Sequence, residues 1–187
     1  DPGMGVAAGV VWAYLGVNDQ LVVFDEHKPE GATVADVAKA IHTINAHYTH
    51  PSVVDAHWKM AEKMGFKAGD RFLETSAGIG YYLGMMPDEL KGDTPRTAVE
   101  KDLGTGGMLK LLYPKDNIEV KGFEQHAAPD NFYDLVASNV PFGDWQIHEE
   151  RYNKFDAKIH DHFFLKSADL VKHGGLVMHV TSAGTLD

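Results

Sequence analysis

The chain predicts an α/β fold, a mostly parallel sheet with helices on both faces. Three observations carry that expectation. Five short apolar runs read as strands, at Arg71–Thr75, Arg96–Glu100, Asn117–Lys121, Phe132–Ser138 and Leu176–Thr181. Helical or loop material lies between successive runs, which is the alternation that builds parallel sheets. The first run ends in a glycine turn, Ser76-Ala77-Gly78-Ile79-Gly80, that opens into a helix start. With 187 residues, 44% hydrophobic and 24% charged, the chain suits one α/β domain with a substantial core and excludes a disordered segment.

Residues 1–32 form an N-terminal segment of unclear role. Its apolar start, Val6 to Leu15, is about half the length of a membrane-spanning helix. It lacks the basic flank of a signal peptide, so a buried strand or helix is expected and no membrane partner. Leu21-Val22-Val23-Phe24 reads as a short strand before the charged turn Asp25–Gly31. Thr33-Val34-Ala35-Asp36 has capping-box spacing, with Asp in the Glu/Gln position, and Val34, Val37, Ala38, Ile41 and Ile44 follow at helical intervals. A second helix is expected from about Ser52 to Met64, with Val54, Trp58, Ala61 and Met64 on one face and Gly65 as its C-terminal cap. A last helix should start at His160-Asp161-His162 and run towards His173-Gly174-Gly175, carrying Lys166 and Lys172 as exposed charges.

Composition narrows the chemistry. There is no cysteine, so disulfides and thiolate metal sites are excluded, and a reducing, cytoplasmic location is expected. Eleven histidines invite a metal reading. In the densest cluster, however, His160 and His162 stand two apart on a helix and point about 200° away from each other, so solvated or packed rings are the better account. A net charge of −10 argues against a phosphate-gripping surface. An enzyme acting on nucleic acid would need a basic groove on one face, or a separate recognition domain.

The glycine turn sits where doubly wound sheets bind ligands. Glycine permits the sharp turn and the close approach of a ligand to the backbone. The turn lacks the third glycine of a dinucleotide fingerprint and the Lys-Ser/Thr of a phosphate loop, which disfavours pyrophosphate. Instead Glu74 closes the strand, suiting an amine-bearing ligand, and Glu100 ends the next strand, where a carboxylate can take both ribose hydroxyls. Ribose without phosphate, with an amino-acid tail, describes S-adenosylmethionine.

At the fourth strand's end stand Asn139-Val140-Pro141-Phe142. The Asn139 side-chain oxygen and the Val140 carbonyl could both accept hydrogen bonds from a ring-bound amino group, pulling its lone pair out of conjugation. Phe142 could stack on the extruded base and Pro141 fixes φ at the corner. Asp134 is better placed mid-strand than in the site. Trp145, in the loop beyond, could also stack.

These residues resemble the amino-methylating DNA methyltransferases, most closely the adenine-N6 methylase modules of large phage and mobile-element proteins. The resemblance covers about residues 40–187. Asn45-Ala46-His47-Tyr48-Thr49-His50-Pro51 is similar to the family's Tyr-Thr-x-Pro segment, Glu74-Thr75-Ser76-Ala77-Gly78-Ile79-Gly80 to its Glu-Pro-Ser-Ala-Gly-x-Gly cofactor loop, and Asn139-Val140-Pro141-Phe142-Gly143 to its Asn-Pro-Pro-Tyr/Phe motif.

The resemblance implies a Rossmann-like class I methyltransferase domain over residues 33–187 that would continue with further strands. It implies S-adenosylmethionine held by Tyr48, Thr49, Glu74, Thr75, Ser76, Ala77, Gly78, Gly80, Glu100, Phe123 and Glu124, and catalysis by Asn139, Val140, Pro141 and Phe142. DNA would be the partner, gripped with the help of a recognition domain, and helicase-like regions can accompany such modules. Arg151, Tyr152 and Asn153 would contact substrate from a loop closing over the site. Thr75 stands where the family has Pro, and Gly122 where it often has Asp, leaving Glu124 as the substitute. Methylation of cytosine N4 or of a protein glutamine, and a non-catalytic scaffold role, stay open as alternatives.

Overall fold

The computed structural model describes residues 49–181, together with Ala13–Leu15 and Leu21–Val23. The helix expected from Thr33, and Tyr48, lie outside the described residues. The chain divides into two units, Asp1–Tyr48 and Thr49–Asp187. In the first, β1 (Ala13–Leu15) pairs antiparallel with β2 (Leu21–Val23), the latter in the run expected as a strand.

The second unit opens on α1 (Pro51–Lys63). Pro51 occupies the first turn, where its missing N–H costs nothing, and the His50 ring accepts the Ser52 N–H at 3.3 Å. Val54, Trp58 and Ala61 are buried as their spacing predicts, but Met64 is 60% exposed. The helix ends at Lys63, one residue before the end of that stripe. The Phe66 N–H donates back to the Ala61 carbonyl at 2.9 Å and the Gly65 N–H to Glu62 at 3.0 Å, a Schellman closure that requires the left-handed φ of +102° at Gly65. Phe66 then packs on Trp58, whose indole N–H donates to the Tyr82 carbonyl.

The sheet comprises β3 (Phe72–Glu74), β4 (Arg96–Glu100), β5 (Asn117–Val120), β6 (Tyr133–Asn139) and β7 (Val171–Val180). Its order is β5-β4-β3-β6-β7 and every pairing is parallel. Between the strands lie α2 (Tyr81–Met85), α3 (Asp88–Lys91), α4 (Leu103–Leu112) and α5 (Ile159–Leu170). Strand alternation splits the core into two layers. Phe72, Ala98, Leu135 and Ala137 pack with Trp58, Tyr82, Leu83 and Leu109. Their neighbours Leu73, Val99 and Val136 pack on the other face with Phe123, Ile159 and Phe163. This is a doubly wound α/β fold with helices on both faces of the sheet.

The last helix stops at Leu170 rather than running to His173, and β7 starts immediately at Val171. Lys172 is therefore a strand residue paired with Asp134. Asp134 also accepts the Arg71 N–H at 2.8 Å, mid-strand and away from the site. Lys166 faces the core, with 4% exposure, because three partners receive its ammonium there.

Gly65 and Gly92 separate backbone strain from packing, since a Cβ at either meets nothing within 4 Å but only Gly65 has positive φ. Gly65→Ala should cost about 1–2 kcal/mol in chemical denaturation, from the left-handed backbone alone. Gly92→Ala, at φ −63°, should be neutral or slightly stabilising.

Candidate active site

Because all five strands run parallel, their carboxyl ends share one edge. Strand order reverses between β3, which leads outward to β4 and β5, and β6, which leads to β7. Open α/β sheets bind ligands at such a switch point. The turn after β3 and the Asn-Val-Pro-Phe corner after β6 meet there.

One serine joins them. The Ser76 N–H donates to Ser138 Oγ at 3.1 Å, and the Ser76 hydroxyl donates to the Asn139 carbonyl at 2.7 Å. The two hydroxyls lie 2.8 Å apart, and the Ser138 hydroxyl also donates to the Ser76 carbonyl at 3.3 Å. On its other side the corner is held by the Val140 N–H, which donates to the Val180 carbonyl at 3.0 Å. The Asn139–Val140 peptide is thus gripped at both its polar atoms. The Val140 side chain is buried, Pro141 is half-buried and Phe142 is 46% exposed.

The turn itself is built from backbone. The Ala77 N–H donates to Val99, and Gly80 N–H to Ala77. Gly80 takes a φ of +83°, and any Cβ there would run into Tyr113 and Leu109. Tyr113 also donates its hydroxyl to the Gly80 carbonyl at 2.9 Å. Glu100 supports the turn from the next strand: one carboxylate oxygen accepts the Gly78 N–H at 2.7 Å and the other the Asp102 N–H at 2.8 Å. Each oxygen keeps a second lone pair.

A cleft of ≈ 550 Å³ opens at this edge, lined by Thr75, Ser76, Glu100, Phe123, Glu124 and Pro141 among the expected residues. Phe123 forms an apolar floor packed on Phe163 at 4.9 Å, and Ile159 continues it. Glu124 folds back so that its carboxylate fills the space where a side chain at position 122 would stand. A carboxylate therefore stands beside position 122, supplied from two residues further along the chain. Thr75 Oγ1, buried at the cleft, has no hydrogen-bond partner.

Other expected residues stand apart from the cleft lining. Thr49 is buried at the entry to α1, and Tyr48 lies outside the described residues. Glu74 is 2% exposed beneath the turn. Burial pushes its carboxyl well above the usual range, opposed by the Tyr82 and Leu83 N–H groups and reinforced by Glu100. Ala77, Gly78 and Gly80 shape the turn without lining the cleft.

The loop after the corner differs from a lid. Its start, Trp145 to His148, lines the cleft, and Trp145 lies against Gly143. Beyond, it runs down α5 and is pinned. Glu149 pairs with Lys166 and His162, the Tyr152 hydroxyl donates to Asp169, and Arg151 pairs with Asp130 and Asp169. Arg151 and Tyr152 are consequently structural anchors, and the Asn153 side-chain oxygen accepts the Glu149 N–H within the loop. Their ionic partners are distant in sequence, which is why the run of polar residues reads as a lid. Lys101, Lys121, Gln146, Ile147 and His148 also line the cleft and carry no motif. Ser138 was detectable only as the small polar residue preceding Asn139 in an apolar strand.

His160 and His162 go to different places, as their spacing predicts: His160 lies near Asp161, and His162 bonds Glu149 at 2.7 Å. Among the described residues no group of three His, Asp or Glu side chains is arranged to hold a metal ion. No described helix is long and apolar enough to cross a membrane.

The fold is that of methyltransferases acting on diverse acceptors. Solved relatives include a type I restriction-modification methyltransferase subunit from Streptococcus thermophilus (16% identity, TM-score 0.59, 71% of this chain and 34% of that one). An S-adenosylmethionine-dependent O-methyltransferase from Thermotoga maritima aligns at 15% identity and TM-score 0.54, over 83% of this chain and 52% of that one. Coclaurine N-methyltransferase, bound to N-methylheliamine and S-adenosylhomocysteine, aligns at 14% identity and TM-score 0.51, over 81% and 38%. In sequence, the chain is 28% identical over 163 residues to "Defense against restriction protein B" of Escherichia phage P1, covering 79% of this chain. It spans only 7% of that protein's length. No protein-family model matches the chain.

Burial lowers the pKa of His57, His126, His162 and His179, the last to about 4. An imidazole with a depressed folded-state pKa stabilises fully above its unfolded value and loses that contribution as pH falls towards the folded one. Glu74 and Asp116, both raised by burial, act with the opposite sign, but these two carboxyls are set against four imidazoles. Denaturation midpoints should therefore fall as pH drops from about 6.5 to 4, and His179→Gln should flatten the curve.

Proposed function

We propose that this chain is a methyltransferase core that moves a methyl group from S-adenosylmethionine to the exocyclic N6 of adenine in DNA. The observation that carries the reading is the Ser76 bridge, which brings the glycine turn and the Asn139 corner to one cleft. Three ordered motifs and the α/β fold support it. The restriction-modification neighbour and the phage relative favour DNA over other acceptors.

The residues present fit the cofactor. Glu100 retains lone pairs for ribose hydroxyls, Phe123 offers an apolar face to a nucleobase, and Glu124 replaces the missing acid at its edge. Thr75 Oγ1 and the Thr75–Ser76 segment at the cleft would hold the amino-acid end. When bound, S-adenosylmethionine supplies an electrophilic methyl on a positively charged sulfur.

The chain's own contribution is to the acceptor. An adenine amino group is a weak nucleophile while its lone pair is shared with the ring. Two acceptors, the Asn139 side chain and the Val140 carbonyl, draw its two hydrogens and localise that pair. Val140 in place of Pro costs nothing, since only its carbonyl is used. The Asn139–Val140 peptide between the two acceptors is hydrogen-bonded at both polar atoms, so the backbone that carries them is held, and held contacts lower a barrier more than mobile ones. Phe142 holds the extruded base by stacking.

Asn139→Ala should lower methyl transfer from labelled S-adenosylmethionine to DNA by a factor of at least about 100, by analogy with other preorganised polar contacts, while cofactor affinity is kept. Full transfer by that variant would sink the mechanism. Nucleoside digestion decides the acceptor: N6-methyladenine supports the reading, whereas N4-methylcytosine or N5-methylglutamine reassigns it.

A further inference from the structure

Lys166 has no place in the chemistry above, yet it is the most deeply placed cation described. Its ammonium has three partners. It bonds Glu149 Oε1 at 2.9 Å and the Glu124 carbonyl at 3.2 Å, and lies 5.1 Å from the centre of the Phe123 ring. Glu149 belongs to the loop that follows the Asn139 corner. Glu124 and Phe123 belong to the turn after β5. Both segments line the cleft, the turn through Phe123 and Glu124 and the loop through Trp145 to His148.

Burying a lysine is a poor way to gain stability. Its desolvation offsets most of the attraction, and an apolar residue of similar volume often serves as well. A buried ion pair does, however, make two segments depend on each other's position. The lower half of the loop does not need this link, since Arg151 and Tyr152 anchor it to Asp130 and Asp169. Lys166 acts at Glu149, where that anchored half meets the part next to the cleft; His162 and the backbone N–H groups of Tyr152 and Asn153 hold Glu149 there as well.

We propose that Lys166 is a positioning residue that couples the two walls of the cleft, so that a cofactor settling on the Phe123–Glu124 turn also orders the Trp145–Glu149 loop beside the acceptor. The cofactor part rests on the reading of the cleft as an S-adenosylmethionine site. The mechanical part rests only on contacts within the chain. A ligand that shifts the Glu124 carbonyl moves the ammonium, and the ammonium moves Glu149.

Hydrogen exchange resolved by segment tests it, on the wild-type chain, Lys166→Met and Lys166→Arg, with and without S-adenosylmethionine. In the wild type the cofactor should slow exchange in both 122–126 and 145–149. In Lys166→Met it should still bind, about ten-fold more weakly, and protect 122–126 but no longer 145–149. The same variant should lower kcat as well as raise KM for the cofactor, and Lys166→Arg, which keeps a cationic donor, should restore part of the loop protection. Protection of both segments in Lys166→Met, as in the wild type, overturns the coupling. If the wild type fails to bind S-adenosylmethionine, the reading of the cleft falls, and the coupling is decided without ligand. Lys166→Met must then loosen 122–126 and 145–149 together, and loosening of one alone overturns it. Should Lys166→Met unfold, Glu149→Gln, which keeps the shape and removes the loop's charge, is judged by the same criteria.

Discussion

The hydroxyl of Ser76 holds the site together. It joins two segments more than sixty residues apart, and it does so at the Asn139 carbonyl, the last polar atom of β6 before the corner. Parallel pairing of β3 with β6 brings the strand ends side by side but leaves their loops free to diverge. Ser76 and Ser138 remove that freedom with a compact set of hydrogen bonds between turn and corner. Everything proposed for the corner depends on it, because acceptors that could drift would bind an amino group without activating it.

Local pattern recovered what depends on local physics. β4 spans the residues its apolar run marks, and the other strands differ from their runs mainly at the ends. Gly65 could be read as a cap because a left-handed residue closing a helix is nearly a glycine monopoly. Met64 was misread because helical spacing continues on paper past the point where the Schellman closure turns the chain. The β7 boundary failed for a related reason. No turn residue separates Leu170 from Val171, so nothing in the composition marks where helix gives way to strand.

The site was legible where chemistry and turn geometry coincide, at the Ser76–Gly80 turn, Glu100 and the Asn139 corner. It was illegible where a role arises from partners far along the chain. In sequence Lys166 and Lys172 read as exposed charges on one helix, and Arg151 as a substrate contact on a loop. Burial beside Glu149, pairing with Asp130 and pairing with Asp134 make them three different things. Glu124 is the converse case. Its reach back over Gly122 places a carboxylate beside a residue without a side chain, which spacing along the chain does not show.

The parallel sheet also sorts charge. Arg96, Arg151 and Lys172 are committed to Asp116, to Asp130 and Asp169, and to Asp134, in contacts away from the cleft lining. At the cleft the lysines are Lys101 and Lys121, and Lys121 is already paired with Glu119. Under the proposed reading, the cleft's own lysines would displace only about one or two condensed counter-ions from a polyanion, so this contact would change little with ionic strength. The cleft lining would then contribute shape and stacking on an unpaired base rather than a grip along a phosphate backbone.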